Sequence, residues 1–534
     1  MNLALRFAET AGRLPSKVAV FDDAGQHTFD GLLAAATALA ARVRTETARE
    51  NVGILAPTSA AFPVAYFGTL LADKAAVPLN PRLDAKALSF FVRDAGLDTI
   101  VGCRPFAGLM ETLGTKAIFV EDAHETCGAP IAGDRAPIAG NGRPMAPTRS
   151  DGDCATLLYT TGTTGVPKGV VLTHRNLFRN VEACNEHIGI TEDYVLLGVL
   201  PLFHSFGLTT SMLVPLLGGC SVVYLARFSA QRVFEAIARH RVMCCFAVAS
   251  MYGDLVRAGA PIAGNRAPFR AATVRERPHG HLLTRVAPGL DLSSVRILVS
   301  GGEPLRMPLP ARIEELFGVP LLGGYGLTET SPVVAVNQPG GCRAGSAGRL
   351  LPWVEARVVD DQGRPVPSGE VGELRLRGDC VTPGYHNRPQ ETAAAFTPDG
   401  WFRTGDLARL DADGYLWLVG RKKDIIIRGG EKISPDEVEA VLCEHPAIAE
   451  AAVIGIPDEL RGEVPKAFVV LREGAAADAA DLMAFCRERL PRYKLPAALE
   501  VRPQLPRTPT GKVHKLALRE QEAAHVAPGG SPGA

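Results

Sequence analysis

The sequence predicts an α/β protein: a large N-terminal domain of layered α/β subdomains, followed by a small α+β C-terminal domain. Three observations lead there. The chain has 534 residues, too many for one hydrophobic core. Short apolar runs alternate with helix-like segments through the first four hundred residues, the pattern of sheets joined by crossover helices. Near Gly420–Asp424 (GRKKD) that pattern gives way to a compact unit of roughly 100 residues, a size able to fold alone.

In chain order, helical patterning covers Phe29–Val43, and a buried strand is expected at Asn51–Leu55 (NVGIL). A strand at Val170–Leu172 precedes a helix at Asn176–His187. Strands at Ser221–Leu225 and Val295–Val299 enclose a helix at Ala230–Arg239. Residues 129–147 and 260–283 look like surface insertions, since the string APIAG occurs twice in the first and once in the second. Past the boundary, Ile425–Ile427 is a strand, and Gly429-Gly430 turns the chain into a helix from Ser434. Ser434-Pro435-Asp436-Glu437 has the form of a capping box with proline at the first helical position. Strands at Ala451–Ile456 and Lys466–Leu471 and a helix at Asp481–Leu490 complete the unit. The expected division is 1–421, 422–523 and a disordered tail at 524–534.

Composition narrows the function classes. Lys+Arg and Asp+Glu both total 57, so there is no global electrostatic footprint for nucleic acid or an anionic membrane. Eleven scattered cysteines without a Cys-x-x-Cys pair point to reduced thiols, a cytoplasmic setting and no zinc site. The first residues lack the apolar run of a secretory signal. The most apolar stretch, Gly207–Val223, contains Pro215 and is short for an integral membrane span. A peripheral membrane contact or a homodimer is left open.

The most telling segment is Tyr159–Gly169, YTTGTTGVPKG. Thr160, Thr161, Thr163 and Thr164 alternate with Gly162 and Gly165, and Lys168 closes the run. Glycine lets backbone N–H groups turn inward, and hydroxyls and an ammonium complete an anion-binding nest. That chemistry grips a polyphosphate. A Walker loop would need Ser or Thr directly after the lysine, whereas Gly169 follows here. Other segments fit a nucleotide. Ser300–Pro304 (SGGEP) follows a buried strand, where open α/β sheets place ligands. Gly323–Thr330 (GGYGLTET) offers an aromatic face beside a hydroxyl and a carboxylate, hard oxygen donors of the kind Mg²⁺ takes. Asp406 in RTGD could accept two ribose hydroxyls, and Lys512 sits on a tight turn in TPTGK. Singly, each has a plain structural explanation; their joint presence and order do not.

The set resembles the adenylate-forming superfamily of acyl-CoA synthetases, luciferase and peptide-synthetase adenylation domains, from about Phe7 to Leu518. The resemblance implies an ATP-dependent acid–thiol ligase: a carboxylic acid and ATP give acyl-AMP and pyrophosphate, then coenzyme A gives acyl-CoA and AMP. It implies that Thr160 to Lys168 hold the β- and γ-phosphates, and that Gly302, Glu303, Gly324 and Tyr325 line the adenine pocket. Thr328 would bind the α-phosphate, Glu329 the Mg²⁺, and Asp406 the ribose, with Arg421 nearby. Lys512 would bridge the α-phosphate and the carboxylate. A placed cation there relieves the repulsion of two approaching anions. The small domain is expected to be mobile, turning about Lys423, where CoA ligases commonly carry Asp. The loop with Gly429 and Gly430 would then replace Lys512 and guide the pantetheine arm.

For the acid, Phe203-His204 in LFHSFG resembles the family's acid-pocket motif, with His204 as gate, and Met251 and Tyr252 would line the acyl tunnel. Amino-acid-activating relatives carry Asp where His204 stands, which disfavours an amino acid. Ala249–Gly253 brings no arginine for a second carboxylate. A medium- or long-chain fatty acid is therefore expected, with an aryl acid as the alternative. No carrier domain follows, which favours free CoA over a separate acyl carrier protein. Lys512, Glu329 and Asp406 are all present, against a catalytically dead homologue. Glu303 departs from the family's frequent Ala, and Asp379-Cys380 from its usual Pro-Asn.

Overall fold

The computed structural model describes residues 1–126, 147–161, 167–259, 290–305, 308–507 and 513–526. The chain forms two compact units, one from Met1–Glu355 with Leu376–Phe402, the other from Ala356–Arg375 with Arg403–Ala534.

In the first unit, four-residue apolar runs become inner strands. Val195–Gly198, Ser221–Tyr224, Cys244–Ala247 and Ile297–Ser300 are buried along nearly their whole length and pair in parallel. Runs without polar alternation suit a sheet covered on both faces. Among the described residues this sheet has nine strands. Its order is Arg349–Leu350, Val333–Val336, Leu321–Gly326, Ile297–Ser300, Cys244–Ala247, Val195–Gly198, Ser221–Tyr224, Val18–Asp22, Gly25–Thr28. A six-stranded sheet runs Lys116–Phe119, Thr99–Gly102, Asn51–Leu55, Ala75–Pro78, Cys154–Thr161, Pro167–Thr173. Helices cover the sheets. His174–Ile188 starts with a reciprocal cap: Asn176 N donates to Thr173 Oγ1 at 3.1 Å, and Thr173 N donates to Asn176 Oδ1 at 2.9 Å. It stops at Gly189, whose φ of 71° is a left-handed C-terminal cap. Phe7 and Phe67 stack at 4.0 Å inside the main core.

The second unit is mostly antiparallel. It holds most of a sheet formed by Val354–Val359, Gly372–Gly378, Phe402–Leu410 and Leu416–Arg421. A five-stranded sheet follows the order Glu431–Ile433, Ile426–Arg428, Gly462–Leu471, Ile448–Asp458, with Ala498–Val501 parallel to Gly462–Leu471.

Most elements fall within a few residues of their expected bounds, and three local expectations need correction. Gly429 and Gly430, at φ 58° and 92°, form a two-residue hairpin loop that leads into a further strand, Glu431–Ile433, before the helix. The Ser434 capping box is not made: Ser434 Oγ donates to Val419 O at 2.7 Å instead, while Pro435 does open the helix Pro435–Glu444. The final helix Lys515–Val526 runs into the stretch expected to be a disordered tail. The loops at 129–146 and 260–283 and the segment 527–534 lie outside the described residues. No described helix is long and apolar enough to cross a membrane.

Candidate active site

The strand order dictates where the first unit can hold a ligand. Val195–Gly198 connects to Ser221–Tyr224 on one side, while its other neighbour, Cys244–Ala247, connects onward to Ile297–Ser300 in the opposite direction. Connections diverging from adjacent parallel strands open a crevice at their carboxyl ends. The segments that follow these strands carry Phe203 and His204, then Val248 and Met251. Gly302 and Glu303 follow the next strand, and Thr328 and Glu329 the one after.

Several of these residues touch. Ser205 Oγ and Thr328 Oγ1 share a hydrogen bond of 3.2 Å, joining the acid-pocket motif to the GYGLTET segment. Thr328 and Glu329 stand on one short helical turn, Thr328–Thr330, held where Thr330 N donates to Leu327 O at 3.0 Å. The Tyr385 hydroxyl donates to Glu329 Oε1 at 3.0 Å, and Lys168 Nζ lies 5.3 Å from the centre of the Tyr385 ring. Sequence reasoning missed Tyr385, because nothing in GYHNRP says that this loop returns to the strand carrying Lys168. Tyr325 is half-buried and packs its strand against Ala335. Gly324 allows close approach: a Cβ there would meet Ala335 O at 3.3 Å. Thr160 and Thr161 end the strand Cys154–Thr161, paired with Lys168 and Pro167. Gly162, Thr163, Thr164 and Gly165 lie outside the described residues.

The segments after these strands carry apolar side chains. Phe203, Phe206, Val248 and Met251 are partly buried against the main core, and the Phe203 and His204 rings are 5.1 Å apart. Gly301 lies so near Phe206 that a Cβ would meet its ring at 3.1 Å. Tyr252 corrects the sequence expectation. It has no exposed surface, and its hydroxyl donates to Cys245 O at 2.9 Å and Val299 O at 3.2 Å. One helical position after Met251, it faces the sheet interior as a core residue. Glu303 is engaged too: Ser250 N donates to Glu303 Oε2 at 2.9 Å, so this carboxylate caps the helix Ala249–Gly259.

In the second unit, Asp406 is 4 % exposed and faces Arg421 across an antiparallel pair, with Arg421 Nε 3.2 Å from Asp406 Oδ1. Asp406 N donates to Thr404 Oγ1 at 3.0 Å, and that hydroxyl donates to Leu374 O at 2.7 Å. Lys423 is exposed on a short turn, Lys422–Asp424, and Arg519 Nη2 binds the adjacent Asp424 at 3.0 Å. Lys512 lies outside the described residues. Among the flanking described residues, Arg507 and Val513 form a bridge and His514 N donates to Pro506 O at 2.7 Å.

Largely parallel sheets covered by helices, with loops gathered at their carboxyl edge, define an α/β fold of the ligand-binding kind. The AMP-binding enzyme family model matches residues 7–386, and the model for the AMP-binding enzyme C-terminal domain matches residues 437–512. The chain belongs to this family, in the acyl-CoA synthetase branch of the adenylate-forming enzymes, and is an acid–thiol ligase. It is 33% identical to a long-chain-fatty-acid–CoA ligase of Bacillus subtilis, over 96% of this chain and 93% of the relative. It is 40% identical to a sulfoacetate–CoA ligase of Cupriavidus necator, over 70% of this chain and 68% of the relative. The crystal structure of ATP-bound MatB from Rhodopseudomonas palustris superposes with a TM-score of 0.82 at 29% identity, covering 98% of this chain and 99% of that one.

Proposed function

We propose that this ligase activates an apolar monocarboxylic acid, a medium- or long-chain fatty acid, with ATP and Mg²⁺, and passes the acyl group to free coenzyme A. The carrying observation is the crevice wall of Phe203, Phe206, Val248 and Met251, with the Glu303 carboxylate nearby. An alkyl chain gains from apolar contact there, whereas a second anion on the acid would meet the negative charge of Glu303. The full-length likeness to a fatty-acid ligase supports the same reading.

In this mechanism the segment Thr160–Lys168 cradles the β- and γ-phosphates. Tyr325 stacks on adenine beside Gly302, Glu303 and Gly324, and Asp406 with Arg421 holds the ribose. Thr328 donates to the α-phosphate, and His204 orients the carboxylate. Glu329, on the turn Thr328–Thr330, is a hard oxygen donor that would hold a Mg²⁺ ion beside the phosphates. When bound, the metal offsets phosphate charge. Lys512 steadies the approaching carboxylate and α-phosphate. The piece from 422 to 523 then turns about Lys423, bringing Gly429 and Gly430 toward the thiol's path. Packing and pivoting are separate properties, so a pivot at Lys423 inside the second unit is compatible with its compactness. The proposed compartment is the cytoplasm.

An aryl acid is the second reading, favoured by the Phe203–His204 ring pair and by 35% identity to a feruloyl-CoA synthase of Amycolatopsis over 88% of this chain and 89% of the relative. A pyrophosphate-release panel across acetate, octanoate, palmitate, benzoate, ferulate, malonate and sulfoacetate, with and without CoA, tests the assignment. Octanoate or palmitate should lead. Release only with malonate or sulfoacetate overturns the apolar reading. Accumulated acyl-AMP without thioester in the presence of CoA points instead to loading of a separate carrier protein.

A further inference from the structure

We propose that Tyr385 is a positioning residue that sets the metal-binding carboxylate of Glu329 and the phosphate-binding ammonium of Lys168 relative to one another. This rests on the roles given above to Glu329 and Lys168, and adds a residue that neither the sequence motifs nor the relatives' names assign.

Backbone geometry carries the case first. The segment 382–386 lies along the strand Pro167–Thr173 as an added stretch. Val170 bridges Tyr385 in antiparallel fashion, His386 N donates to Gly169 O at 2.7 Å, and Val171 N donates to Gly384 O at 3.0 Å. On its other side, Thr382 N donates to Glu329 O at 2.8 Å, and Ser331 Oγ donates to Cys380 O at 2.8 Å. The segment is thus stitched by main-chain bonds to both elements whose side chains it would align. Such a seam fixes where the Tyr385 Cα stands with respect to both.

The side chain then touches each. Its hydroxyl donates to Glu329 Oε1 at 3.0 Å, and its ring lies within cation–π range of Lys168 Nζ, at 5.3 Å. A hydrogen bond to an ionised carboxylate is stronger than one between neutral groups and fixes which oxygen is turned away. One phenol thus contacts the carboxylate through its hydroxyl and the ammonium through its ring.

The test compares Tyr385→Phe, Tyr385→Leu and Glu329→Gln in the full-length enzyme. The Mg²⁺ midpoint of pyrophosphate release is measured together with Mn²⁺ binding in the presence of a non-hydrolysable ATP analogue, followed by electron paramagnetic resonance. Tyr385→Phe keeps the ring and loses the hydroxyl. It should raise the Mg²⁺ midpoint and weaken Mn²⁺ binding about tenfold, with KM for ATP at saturating metal near wild type. Tyr385→Leu should add a rise of about threefold in that KM, from the lost ring. Thioester formation from supplied acyl-AMP should be unchanged in both. An unshifted midpoint in Tyr385→Phe, with a shifted one in Glu329→Gln, overturns the inference and leaves the metal assignment standing. No shift in either variant overturns the assignment of Glu329 itself. Equal loss of both half-reactions in Tyr385→Phe overturns the positioning role in favour of a general packing one.

Discussion

In the first unit, Lys168, Tyr385, Glu329, Thr328 and Ser205 come from four distant chain segments and touch in series. In the second, Asp406 and Arg421 meet across one antiparallel ladder, separated by a single hairpin. The difference lies in the connections. Loops at the carboxyl edge of a parallel sheet, and the stretch around Tyr385 laid against Pro167–Thr173, come from far apart in sequence. The hairpin of Phe402–Leu410 and Leu416–Arg421 pairs chain neighbours, so its polar contact is local. The first arrangement therefore depends on long-range packing, the second on register.

Four perturbations break or sharpen that contrast. The largest effect is expected at Lys512. Lys512→Ala should slow pyrophosphate release by about 10²–10³-fold, as for other lost electrostatic donors. Thioester formation from supplied acyl-AMP should stay largely intact, and equal loss of both steps would discard the two-conformation reading.

Next comes acid sensitivity of the first unit through buried His174. Burial pushes this imidazole down to about 4, and Leu3 N donates to its Nδ1 at 3.2 Å, tying the N-terminus to the helix after the phosphate strand. A folded-state value below the unfolded one means that the unfolded chain takes up the proton first. The stabilisation is therefore complete above about pH 6.5 and is lost as pH falls toward 4. At 1.36 kcal/mol per unit this amounts to roughly 3 kcal/mol. Thermal unfolding across that window should show the loss, and His174→Gln should flatten it; an equally steep curve in the variant removes His174 as its source.

Asp406→Asn should raise the KM for ATP about tenfold, by weakening the proposed contact to ribose and the pair with Arg421. A silent Asp406→Asn would leave the second unit's local pair with a structural role only. The smallest effect is expected at Glu303→Ala, which removes the cap on Ser250 N at an exposed helix start. It should cost about 1 kcal/mol or less. Its informative readout is specificity: malonate or sulfoacetate turnover should improve relative to octanoate, and an unchanged ratio would separate Glu303 from acid selection.

Fold legibility tracked pattern strength. Continuous apolar runs such as NVGIL and the helix at Ala230 were readable because burial on both faces, or a 3.6-residue stripe, leaves a direct trace. The hairpin at Gly429-Gly430 was misread because a Gly-Gly pair serves a turn into a helix as well as a two-residue hairpin loop, and only the partner strand Glu431–Ile433 decides. Ser434 was misassigned for a similar reason: its hydroxyl had a better acceptor in Val419 O than in its own helix. Met251 and Tyr252 are neighbours, but adjacent helical positions point about 100° apart, and only the packed helix shows that Tyr252 is the one fully buried.

The sequence by itself determined the chemistry available: a glycine- and threonine-rich strand end, a hydroxyl–carboxylate turn, a segment Ala249–Gly253 without arginine, and a family whose members include acid–thiol ligases. Local residue order carries that information because each motif is short and its groups act through neighbouring backbone. Tertiary structure alone decided which of those groups meet. It seated Tyr385 between Glu329 and Lys168, turned Tyr252 into the core and gave Glu303 a helix to cap. Those choices depend on strand pairing and side-chain direction, which arise only when segments hundreds of residues apart compete to bury the same surface.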